Sequence, residues 1–284
     1  MTRPRGARGP LLVASALLVG VAPLAGCDTD GQPGSPAAAH KRIEIVSTRP
    51  HDPSAFTQGL QIHDGALYES TGNYGTSGVS RTPLDGAGAE VSSDLPADQF
   101  GEGMTLVPGG EAPERLWQLT WTEGIAYERD PYTLTERRTV RYDGEGWGLC
   151  HLAGEAADAR GELVMSDGSD ELIFRDADRF DEESRVKVTR DGHGVDQLNE
   201  LECVGTDTVY ANVFTTDEIL EIDAATGVVR ATIDASEATR ALPAEVTDDP
   251  DAVLNGIAQI PGTERFWITG KRWPTLYEVR FVPA

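Results

Sequence analysis

Apolar and polar residues alternate with a period of two along most of this chain. "GALYEST" (65–71), "RLWQLTW" (115–121), "TVYANVF" (208–214) and "RFWITGK" (265–271) are short runs rich in β-branched and aromatic residues. Asp-Gly, Gly-Gly and Ser-Asp-Gly turns punctuate them, as strands joined by tight turns require. A 3.6-residue period is almost missing. Only "ASEATRALPAEV" (235–246) has room for a short turn of helix. The pattern predicts an all-β chain.

The strands also recur in a fixed phrase. "ESTGNYGTSGVSRTPLD", "QLTWTEGIAYERD", "VMSDGSDELIFRDAD" and "NVFTTDEILEID" each read as strand, polar turn, strand. A second signal lies upstream of each phrase and once more near the end: "FTQGL", "FGEGMTL", "GWGLC", "LNELECV" and "LNGIAQI". Their key positions, Gln58, Glu102, Trp147, Asn199 and Asn255, stand about 44, 45, 52 and 56 residues apart. That spacing suits four-stranded propeller blades, and five such units predict a five-bladed β-propeller. The last unit is short of a strand, and "KRIEIVST" near the start has no unit of its own. The N-terminal strand is therefore expected to complete the last blade and close the ring, which also protects strand edges. Inner strands of such a ring line a central channel, so these key residues converge from different blades.

The first residues read differently. "MTRPRGARG" carries Arg3, Arg5 and Arg8, and an apolar stretch follows that ends in "LAGC" at Cys27. This resembles a bacterial lipobox, an ordinary secretory signal being the alternative. The expected division is a lipoprotein signal peptide over 1–26, a flexible tether over 27–40 beginning at an acylated Cys27, and the propeller over 41–284. The expected location is extracytoplasmic, at the cell membrane through the lipid alone. Cys150 and Cys203 then remain as an even pair in an oxidising compartment, on consecutive inner strands; a disulfide or two separate buried thiols both fit. The net charge of −23 would repel phosphates and argues against a nucleic-acid partner. The acids are scattered, as on a solvated surface.

Ten motifs in order, from His51 to the C-terminus, carry a resemblance: "HDPSAFTQGL", "YESTGNYGTSGV", "FGEGMTL", "QLTW", "GEGWGL", "MSDGS", "LNELE", "ANVFTTD", "LNGIA" and "TGKRWP". Together the chain resembles the plant-type glutaminyl-peptide cyclotransferases, which also occur in bacteria. The resemblance implies a five-bladed propeller that converts an N-terminal glutamine of a peptide or protein to pyroglutamate and releases ammonia. It implies no catalytic metal, unlike the zinc-dependent animal enzymes of different fold. The family's proton shuttle falls on Glu102, and its oxyanion donors on Gln58 and Lys271. Asn199 matches a position that holds the substrate backbone or amine. Phe56, Trp121 and Trp147 match residues that pack around the glutamine side chain. Phe214 replaces a frequent family Trp, so an indole N–H is missing there.

From the residues alone, blander roles stand beside these: a structural acid for Glu102, an inter-blade hydrogen bond for Gln58, a surface amine for Lys271, a turn residue for Asn199 and core packing for each Trp. No cofactor is required by the chemistry, in which the substrate's own amine attacks its own amide. Gln58, Glu102, Asn199, Glu200 and Asn255 are oxygen donors that could also hold a structural calcium ion. No His or Cys spacing suggests zinc. Two other functions remain open at this stage: a metal-dependent lactonase of the six-bladed gluconolactonase type, and a propeller that binds a peptide or envelope polymer without catalysis. A closed ring suggests a monomer.

Overall fold

A computed structural model describes residues 37–86, 88–109, 113–154 and 161–284. The leader, Cys27 and all but the last four residues of the expected tether lie outside the described residues. The described chain opens with β1 (Ala39–Pro50). One antiparallel sheet follows, made of β2 (Thr57–His63), β3 (Ala66–Thr71), β4 (Gly78–Pro83) and β5 (Val91–Asp94) in that order. β6 (Gly101–Val107), β7 (Arg115–Thr120), β8 (Ile125–Arg129) and β9 (Glu136–Arg141) form a second, again in order. β10 (Leu149–Leu152), β11 (Glu162–Met165), β12 (Glu171–Asp176) and β13 (Glu182–Lys187) form a third. β14 (Thr189–Arg190) and β15 (His193–Gly194) are a small ribbon.

β16 (Leu198–Val204), β17 (Thr208–Val213), β18 (Glu218–Asp223) and β19 (Val229–Asp234) come next. Two short helices, α1 (Ser236–Arg240) and α2 (Ala244–Thr247), precede β20 (Leu254–Gln259), β21 (Arg265–Gly270) and β22 (Thr275–Pro283). The sequence predicts one turn of helix here at most. There are two because Pro243, extended at ψ 146°, cannot continue α1 and instead starts α2.

β1 pairs antiparallel with β22 and, over Ala39–Arg42, parallel with β19. This joins β16 to β22 and β1 into one eight-stranded sheet of order β16-β17-β18-β19-β1-β22-β21-β20. β1 begins at Ala39, two residues inside the expected tether, because the main chain there is held by β19.

The architecture is all-β and propeller-like. Five edge strands of these sheets pack in cyclic order: β2 on β6, β6 on β10, β10 on β16, β16 on β20, and β20 on β2. Their backbones come so close that a Cβ on Gly103 would lie 2.6 Å from Leu149 N. Apolar side chains fill the space between neighbouring sheets. Trp117 of the second sheet, for example, packs on Phe180, Leu163 and Met165 of the third. A Cys150–Cys203 disulfide ties β10 to β16, so the even pair is bonded.

An inner strand has an edge with no further strand to pair with, and its buried N–H groups need other acceptors. Side chains of the neighbours supply them. Gln61 Oε1 accepts from Leu106 N at 2.7 Å, and Glu202 Oε1 accepts from Gln259 N at 2.7 Å. Glu200 accepts from Leu60 N and Ile257 N with its two oxygens, at 3.1 and 2.8 Å.

Candidate active site

Strand register breaks where the key residues stand. β2 slips against β3 between Thr57 and Gly59, and β6 against β7 between Gly101 and Met104. β16 slips between Leu198 and Leu201, and β20 between Leu254 and Ile257. Gln58, Glu102, Asn199 and Asn255 therefore lie at β-bulges, which release a residue from the alternation of the strand and re-aim its side chain. Trp147 differs, lying in the loop just ahead of β10.

All of these except Asn255, which stands behind Gln58, line a cavity of about 410 Å³. Phe56, Gln58, Glu102, Trp121, Trp147, Asn199, Phe214 and Lys271, all eight side chains that the sequence nominates, line it. Larger depressions of about 690 and 680 Å³ lie elsewhere. Volume alone would favour those, but the smaller cavity is where a buried acid and a buried amine converge.

Glu102 is 5% exposed. Gln58 donates to its Oε1 from Nε2 at 2.8 Å, and Asn255 Nδ2 in turn donates to Gln58 Oε1 at 3.0 Å and to Thr57 O at 2.9 Å. The Glu102 backbone is held on both sides: Gly101 N donates to Ser77 Oγ at 2.9 Å, and Gly103 N to Trp147 O at 2.6 Å. Among the described residues no donor meets Oε2, which is left to the cavity. Burial pushes the Glu102 carboxyl well above the usual range; Lys271 opposes this, while the charges of Glu145 and Glu123 add to it.

Lys271 is 4% exposed, and burial brings its amine down to about 8 against the pull of Glu102 and Asp251. Its Nζ lies 4.9 Å from the Phe56 ring centroid and 4.7 Å from that of Phe214, so two aromatic faces support the cation. Phe214 meets Trp147 edge-on at 5.7 Å. Asn199 is 2% exposed and its Oδ1 has no partner among the described residues, an acceptor left for something that enters the cavity.

The sequence reading missed three lining residues: Asn73, Phe100 and Asp251. The first two lie inside quoted motifs, "YESTGNYGTSGV" and "FGEGMTL"; nothing around Asp251 signals a site. The oxygen donors considered for calcium are partly engaged. Both Glu200 oxygens accept main-chain N–H groups and Gln58 Oε1 accepts from Asn255, while Asn199 Oδ1 and Asn255 Oδ1 have no partner among the described residues. Among the described residues no group of three or more His, Cys, Asp or Glu side chains could hold a metal. The half-buried His51 is held between Glu69 (3.0 Å) and Trp273 O (2.6 Å), with Thr269 Oγ1 at 3.4 Å, outside the cavity lining. The cavity thus offers a carboxyl able to take and return a proton, a nearby amine, an unpartnered amide oxygen and aromatic walls.

A family model described as glutamine cyclotransferase matches residues 17–281. The chain is 35% identical over 244 residues to the glutaminyl-peptide cyclotransferase of Arabidopsis thaliana, which covers 85% of this chain and 72% of the relative. Among solved structures, the glutaminyl cyclase of Myxococcus xanthus matches with a TM-score of 0.76 and 41% identity, over 87% of this chain and 99% of that one.

Proposed function

Because the chain belongs to the glutamine cyclotransferase family, we propose that this cavity is its active site, where the N-terminal glutamine of a peptide or protein closes to pyroglutamate and ammonia leaves. The observation that carries the assignment is Glu102, buried and fixed by Gln58 on one oxygen with the other left to the cavity.

The chemistry follows from these positions. The neutral α-amine attacks the side-chain amide carbon and forms the ring C–N bond. Glu102 takes a proton from the attacking nitrogen and delivers it to the departing one; the amide C–N bond breaks and ammonia forms with no net gain or loss of protons. A carboxyl with a raised pKa suits both halves of this transfer near neutral pH. Negative charge that builds on the amide oxygen is met by the Lys271 ammonium and by the second N–H of the Gln58 amide. Asn199 Oδ1 accepts an N–H of the substrate's amine. The aromatic walls hold the side chain in a folded, ring-closing conformer, which supplies much of the rate in an intramolecular reaction. They also exclude water, which favours cyclisation over hydrolysis to glutamate. No cofactor enters these steps.

The same reading divides the eight-stranded sheet between β19 and β1 into two four-stranded units, which makes five blades with β1 as the outer strand of the last. A lipid-anchored, extracytoplasmic monomer is the cellular form that this reading proposes. The Cys150–Cys203 disulfide supports an oxidising compartment. The test is ammonia release from a glutamine-initiated dipeptide, with and without chelator. Release that chelator does not change is expected; a folded protein that releases none from any such peptide would overturn the assignment.

A further inference from the structure

The aromatic side chains around the cavity touch in sequence. Phe56 meets Phe100 at 6.0 Å, Phe100 meets Trp121 at 5.7 Å, and Trp147 meets Phe214 at 5.7 Å, each pair edge to face at 90°, 63° and 81°. Two gaps in this collar are bridged by charged groups. Lys271 spans Phe214 and Phe56. Glu145 spans Trp121 and Trp147: its Oε2 accepts both indole N–H groups, at 2.7 and 2.9 Å. The structure assigns Glu145 as a positioning residue for the cyclisation, its one carboxylate oxygen fixing two indole planes that wall the cavity from different loops, one just after β7 and one just ahead of β10.

This inference rests on the reading of the cavity as the cyclisation site, and its geometry is local. Gly146 N donates to Trp121 O at 2.9 Å, so the two backbones are already tied and only the side-chain torsions of the rings remain to be set. Both rings are only half-buried, so packing constrains their torsions less than it would those of a core ring. An indole has a single N–H, so one shared acceptor defines the direction of each ring. The backbone that presents Glu145 is itself constrained. Gly144 has φ +84°, and a Cβ on Gly146 would lie 2.3 Å from Tyr142 Oη. The "GEG" of "GEGWGL" is thereby explained: two glycines for the turn, and an acid for the indoles.

Glu145 is exposed, so replacing it opens no hole in a core. The experiment compares the parent with Glu145→Ala and Glu145→Gln in kcat and KM for a glutamine-initiated dipeptide, in tryptophan fluorescence and in Tm. Glu145→Ala is expected to raise KM about tenfold and lower kcat, change the tryptophan emission, and leave Tm at the parent value. Glu145→Gln keeps an amide oxygen for the indoles and is expected to restore KM. It also removes a negative charge that raises the Glu102 pKa, so the acid limb of kcat/KM moves to lower pH. An alanine variant with parental KM and emission would overturn the proposal, as would a glutamine variant as impaired as the alanine one. If the parent released no ammonia, the cyclisation reading would fall, while the fluorescence of the variants would still report whether Glu145 holds the indoles.

Discussion

Glu102 and Glu200 are two carboxyl groups on strands of the same cyclically packed set, alike in almost everything that is commonly used to pick out a catalytic acid. Both lie at a break in strand register, both are buried, and burial pushes both well above the usual carboxyl range. Their partners separate them. Glu200 commits its two oxygens to the main-chain N–H groups of Leu60 and Ile257, donors on two other inner strands. Glu102 takes one side-chain donor, Gln58, and lines a cavity shared with a buried amine. A perturbed pKa thus marks burial, and chemistry needs in addition an oxygen that the fold has not used.

The largest effect that could break this distinction is expected at Glu102. Glu102→Gln keeps the shape and an acceptor for Gln58 but cannot carry the proton between the two nitrogens. A loss of roughly 10²–10⁴-fold in kcat is expected, the usual range for a positioned general acid–base. Tm should hold or rise, since the substitution removes a buried ionisable group without opening a cavity. Ammonia release and a thermal melt on the same samples check both. Undiminished kcat would move the proton transfer elsewhere and leave the two acids equivalent.

Glu200 should behave the opposite way. Glu200→Ala strands two buried main-chain N–H groups, at about 1–3 kcal/mol for each unsatisfied donor. A Tm fall of several degrees is expected, with kcat of the folded protein within a few-fold of the parent. Thermal melts beside ammonia release at a temperature below both transitions measure this. A variant with parental Tm and no activity would place Glu200 in the chemistry.

The strand phrases made the propeller-like fold legible because a two-residue period with Gly-rich turns has few other solutions, and the five inner-strand signals all fall on edge strands of the sheets or in the turn just ahead of one. The candidate site was legible through motifs to this extent: the eight side chains nominated from them all line one cavity. What stayed hidden depends on distance in space. No pattern reveals that β1, paired with β22 along one edge, would pair with β19 along the other, since parallel pairing at an outer edge leaves no mark on hydrophobic alternation. Nor does "LNELECV" announce that Asn199 faces a cavity while Glu200, its neighbour, sutures two strands. Asp251 enters the cavity wall from a stretch beyond α2 with no motif at all.

Glu202 offers the finest test, because it extends the comparison farther along the channel and separates burial from chemistry by pH alone. It is 6% exposed, accepts from Gln259 N at 2.7 Å, and burial takes its carboxyl to about 8 from a usual 4.5. In the unfolded chain it gives up its proton near 4.5, and in the folded chain only near 8. Between those values the native state binds a proton that the unfolded state has lost, so stability falls as pH rises. One proton difference is worth about 1.4 kcal/mol per pH unit. The contribution is full below the unfolded value, is lost progressively through the folded one, and changes no further above it. Glu202→Gln removes the titration and retains an acceptor for Gln259 N. Its urea midpoint is expected to match the parent near pH 5, to exceed it by a growing margin toward pH 8, and to vary less steeply between, while kcat stays parental at every pH. An unchanged slope would mean that Glu202 ionises as it would in water. The contrast between a used and an unused carboxyl would then have to be drawn from Glu102 and Glu200 alone.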